Sequence, residues 1–94
     1  MEGLMSDHAT APASELAIER VQTGVRMEKR MLKVLKALAE YFDIPLGELL
    51  EAIVLHAFAQ QTPFSAETLR RISQIKDVYG MDYDLRYSHR LIEP

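Results

Sequence analysis

Residues 21–27 read Val-Gln-Thr-Gly-Val-Arg-Met, and no other stretch constrains the fold as much. Val21, Thr23, Val25 and Met27 alternate with Gln22, Gly24 and Arg26, the period-two pattern of a half-buried β-strand. A strand needs a neighbour, because its backbone N–H and C=O groups must find partners. No second convincing strand follows in the 94 residues. The economical solution is pairing with the same strand of another copy, so the pattern predicts a homodimer. The alternative is that residues 20–27 merely extend the following helix, giving a small helical scaffold that binds no nucleic acid. Gly24 and the alternation argue against it.

The next stretch has helical periodicity. Over residues 28–43, Met31, Leu35, Leu38 and Phe42 recur at spacings of four, three and four, with Val34 and Tyr41 widening the stripe. Lys29, Arg30, Lys33 and Lys36 crowd the first turns, against the preference of the helix dipole for acids there. Pro45 disfavours helical geometry at Ile44 and suits the first turn of a new helix. That helix, about 46–59, turns Leu46, Leu49, Leu50, Ile53, Val54, Ala57 and Phe58 inward. Ala52 and Leu55 make it apolar on most sides, as a central helix or one packed on a partner subunit would be. A linker over residues 60–64 leads to Ser65, a good N-cap, and a third helix that stops at Gly80. Residues 81–94 hold Tyr83, Leu85, Tyr87, Leu91 and Ile92, which predicts that part of this segment docks.

Length and composition set outer bounds. A chain this short makes one domain, with a core small enough that sharing it in a dimer would help. Its 48% apolar and 27% charged residues are ordinary for a globular chain. Without cysteine, neither a disulfide frame nor a thiolate metal site is possible. No apolar run approaches the roughly 20 residues of a membrane span, and the N-terminus lacks a signal-peptide pattern, so the expected compartment is the cytoplasm. The net charge of −3 hides one basic block. Between residues 20 and 36, Arg20, Arg26, Lys29, Arg30, Lys33 and Lys36 face only Glu28, while both flanks are acidic.

Strand, helix, tight turn and helix in that order, over residues 20–58, resemble the ribbon-helix-helix family of DNA-binding proteins, of which the Arc-like fold is the type. The matching text is VQTGVRM for the strand and LKALAEYFDIPLGELLEAIV for the helices and turn. The resemblance implies a mainly α fold: an intertwined homodimer with one short N-terminal strand per protomer paired into a ribbon, plus an extra C-terminal helix. Together with the polar, aperiodic start and the third helix read above, this divides the chain into a disordered leader (1–16), a ribbon-helix-helix core (17–60) and an accessory helix and tail (61–94). The resemblance implies double-stranded DNA as partner, read in the major groove by the outward ribbon positions Gln22, Gly24 and Arg26. Arg can fork onto guanine and Gln onto adenine. Lys29, Arg30 and Lys33, with Leu46 and Gly47 at the start of the second helix, match the phosphate-contacting positions. Val21, Val25, Met27, Leu35, Leu38, Phe42, Leu49, Ile53 and Phe58 match the dimer core. The chain departs from the family pattern at Gly24, which has no side chain to read a base, and at Pro45 and Gly47, which replace turn hydroxyls.

Other chemistry is poorly represented. His8, His56 and His89 lack ligand spacing, and Ser88-His89 are sequence neighbours whose side chains diverge. Tyr79, Tyr83 and Tyr87 form a stripe only if the helix continues through Gly80. No phosphate loop, nucleophile elbow or acid/base pair is present, so no enzyme activity, metal or cofactor is expected. The sequence therefore predicts a sequence-specific, homodimeric transcriptional regulator. The alternative is an antitoxin-like use of the same dimer, binding a protein partner through residues 64–94.

Overall fold

A computed structural model describes residues 15–94, which are mainly helical. Three α-helices, α1 (Lys29–Phe42), α2 (Leu46–Phe58) and α3 (Ala66–Tyr79), are followed by a 3-10 turn at Leu85–Tyr87. Their bounds fall within a residue or two of the sequence periodicity. The leader expected over 1–16, with His8, lies almost wholly outside the described residues.

Residues 15–28 form neither helix nor strand. They do not extend α1, because Glu28 is its N-cap with extended backbone (φ −60°, ψ 136°). No strand is present among the described residues. A single chain offers the expected strand no partner edge, and a lone strand is not a stable element.

The core forms where the three helices meet. Leu38, Ala39, Phe42, Leu49 and Ala52 are buried, and Leu35, Ile44, Leu46, Ile53, Phe64, Ile72 and Ile75 pack against them. The stripe of α1 thus faces α2 and α3 together. Helix α3 runs antiparallel along α1: the Lys33 ammonium sits over the Tyr79 ring, and at the other end the Arg71 guanidinium sits over the Tyr41 ring. Ile72 and Ile75 make α3 a wall of this core, with Phe64 just ahead of it.

Helix ends follow one device. Asp43 (φ 58°), Gln60 (φ 57°) and Gly80 (φ 68°) are all left-handed. After each, an N–H reaches back five residues, from Ile44 to Ala39, Gln61 to His56 and Met81 to Lys76. These bonds satisfy carbonyls that a helix end would otherwise leave open. At the start of α3 the Ser65 hydroxyl accepts from the Thr68 N–H (3.2 Å) and donates to the Thr68 hydroxyl (3.1 Å), so buried Thr68 is satisfied.

The apolar face of α2 divides differently from expectation. Leu49 and Ala52 are buried, whereas Val54, Leu55 and Phe58 are exposed, Phe58 by 81%. Val54, Ala57 and Phe58 were expected inward, on the core or on a partner subunit; within the single chain α2 packs on α1 and leaves all three exposed. Val21 and Val25 are also more than three-quarters exposed.

Candidate nucleic-acid interface

The basic block runs from Arg20 through the first two turns of α1. Lys29, Lys33 and Lys36, at helical spacings of four and three, lie exposed along one face. Arg26 stands just ahead of them. The positions expected to read bases, Gln22, Gly24 and Arg26, are all exposed. A Cβ at Gly24 would meet nothing within 4 Å, so no steric need for glycine exists there.

Glu28 organises this corner. Its carboxylate accepts from the backbone N–H groups of Arg30 (2.9 Å) and Met31 (3.1 Å), capping α1. It also accepts from the Tyr83 hydroxyl (2.5 Å) and Arg30 Nε (3.2 Å). The Tyr83 bond, then the Arg30 N–H, hold its pKa down at about 2. Burial first, then donation to Glu28, pushes Tyr83 up to about 12. A carboxylate at the N-cap also offsets the unfavourable placement of the lysines against the helix dipole.

Several arginines already have partners. Arg30 donates to the Gly80 carbonyl (2.9 Å) and to Asp82 (3.1 Å), and its guanidinium lies 5.3 Å from the Tyr83 ring centre. Arg26 donates to Glu93. Arg20 forks onto Glu51 of α2 at 2.8 and 2.9 Å, raising its pKa and lowering that of Glu51. Residues 91–93 lie against residues 26–29, lining with them an open cleft of about 520 Å³. Glu28, Asp82, Tyr83 and Glu93 were missed as parts of this corner. A charge reversal at Glu28 within a basic run was the only local signal.

Helix α2 starts on Pro45, which makes no side-chain cap. The N–H groups of Leu46, Gly47 and Glu48 therefore receive nothing from the cap residue, and Glu48 adds negative charge in that turn. Leu46 itself packs against the core, while Gly47 is exposed with open space around it. The two expected phosphate positions thus differ: one is a core residue offering only its backbone, the other an open backbone N–H.

His56 Nδ1 donates to the Ala52 carbonyl oxygen (2.7 Å) within α2. Among the described residues no group of three or more His, Cys, Asp or Glu side chains could hold a metal ion. No helix among them is long and apolar enough to cross a membrane. No protein-family model, curated protein or solved structure matches this chain.

Proposed function

We propose that this chain is a DNA-binding regulator of the ribbon-helix-helix type, acting as a homodimer. Residues 21–27 of two copies pair into a ribbon that enters the major groove. Gln22 and Arg26 read base edges, and Lys29 and Lys33 hold phosphates. The Gly47 N–H at the start of α2 meets a further phosphate.

One observation carries this reading. Residues 20–27 are exposed and form neither helix nor strand, tied down through the Arg20–Glu51 and Arg26–Glu93 ion pairs, immediately before the joined pair α1 and α2. Their alternation leaves Val21 and Val25 exposed, as do Val54, Leu55 and Phe58 on α2. Pairing two copies gives both apolar sets a partner. It also doubles the lysine face, and phosphate attraction grows with the number of cations presented.

The test is binding to random-sequence duplex DNA across a salt series. Each phosphate neutralised contributes roughly −0.9 to the slope of log affinity against log salt. Removing Lys29 and Lys33 from both protomers, four charges in all, should flatten that slope by about 3 to 4. An unchanged slope refutes the phosphate assignment. Absence of binding at low salt refutes the regulator. The exposed Leu85 and Ile92 would then make residues 64–94 a protein-docking surface, the reading to pursue next. Truncation after Gln61 does not separate the two readings, because it strips Phe64, Ile72 and Ile75 from the core.

A further inference from the structure

We propose that residues 81–93 form an acidic clamp that competes with DNA for the arginines beside α1, an inference that rests on the DNA-binding reading above. Glu93 holds Arg26, the residue assigned to base reading, and Asp82 holds Arg30. Both acids occupy guanidinium N–H groups that a guanine edge or a phosphate would need. The lysines at 29, 33 and 36 stay exposed and outside these pairs. The clamp therefore covers Arg26, assigned to base reading, and Arg30, matched to a phosphate position, and leaves the three lysines exposed for a first, sequence-independent encounter.

The segment is built to stay attached while its far part lets go. Near α3 it is anchored: Gly80 closes the helix and the Tyr83 hydroxyl donates to Glu28. Tyr87 meets Tyr83 edge-on, with ring centres 6.4 Å apart. Beyond that the segment is loose. Ile92 is 90% exposed, and the Glu93 side chain is 77% exposed. An exposed ion pair is weak and screened by salt, so a phosphate or base edge can displace Glu93 without unfolding the anchor. Displacement transfers the Arg26 guanidinium from one acceptor to another. It also moves a carboxylate away from the DNA backbone.

The test uses the full chain and a random-sequence duplex at low salt. The double variant Asp82→Asn/Glu93→Gln removes the clamp's charges at side chains 83% and 77% exposed, which leaves the core intact. Glu40→Gln/Glu67→Gln removes the same charge from exposed positions that make none of these contacts. The clamp variant should bind roughly fourfold to several-hundredfold tighter than the wild type, the size expected for the four exposed pairs of a homodimer. The control should change by less than about twofold. In the wild type, DNA should also speed hydrogen exchange of the amides of residues 88–93, while those of α3 stay protected. If the clamp variant binds no tighter than the control, the clamp is refuted and the regulator stands. If neither the wild type nor either variant binds DNA, the regulator itself is refuted and the clamp falls with it.

Discussion

Replacing Phe58 with aspartate should separate two copies of this protein without unfolding either. Phe58 is 81% exposed in the single chain, at the end of a patch that includes Val54 and Leu55. Burying a phenylalanine side chain contributes about 1.5–3 kcal/mol. A two-fold interface buries it twice, so losing both copies costs about 3–6 kcal/mol, before any cost of placing aspartate there. At about 1.4 kcal/mol per tenfold, the dimer Kd should rise roughly a hundredfold to ten-thousandfold. The core within each chain is built from Leu38, Ala39, Phe42, Leu49 and Ala52 and does not include Phe58. Sedimentation equilibrium over a concentration series measures the change, and far-UV circular dichroism checks that the helices remain. An unchanged Kd would show that this face of α2 is not the interface. A wild type that stays monomeric throughout would refute the dimer.

Further substitutions test other parts of the account. Gly47→Ala should stabilise the protein by about 0.5–1 kcal/mol in a thermal melt, because a Cβ there meets nothing within 4 Å and alanine favours the helix. Leu49→Ala should cost about 2–5 kcal/mol by urea titration, since Leu49 is fully buried at the meeting of α1 and α2. Glu28 gives a pH signature. Its folded pKa of about 2 lies below the ordinary 4.5, so its contribution is complete above about 4.5 and is lost as pH falls toward about 2. Tyr83 works in the opposite sense: its hydroxyl is held protonated up to about 12 against an ordinary 10, so its contribution is complete below about 10 and fades above it. The urea midpoint of the wild type should fall across both windows, and Glu28→Gln should remove the acid-side component.

The helices were legible because their signals are local. The stripe of Met31, Leu35, Leu38 and Phe42 gives α1, Pro45 separates it from α2, and Ser65 and Gly80 bracket α3. The left-handed end at Gln60 was not legible, since glutamine is not a usual choice there, whereas Asp43 is of a type that adopts this conformation more readily than most. Glu28 was hidden for a similar reason. Glutamate is not a preferred N-cap, and its value here comes from Tyr83, 55 residues further along. The candidate interface was half legible. Periodicity and charge mark Gln22, Arg26 and the lysines, but nothing local links Arg26 to Glu93 or Arg30 to Asp82. A helix apolar on most sides does not say which side its own chain will cover, so periodicity alone did not single out Val54, Leu55 and Phe58 as the exposed side.

The most direct test of the central claim is selection from a pool of random duplexes, run in parallel with the wild type and Arg26→Ala. The wild type should enrich a two-fold symmetric site, matching a symmetric ribbon. Arg26→Ala should lose about 1–3 kcal/mol at that site while keeping its binding to random DNA. Equal enrichment by both proteins would contradict readout by Arg26, and no enrichment by the wild type would contradict sequence-specific recognition.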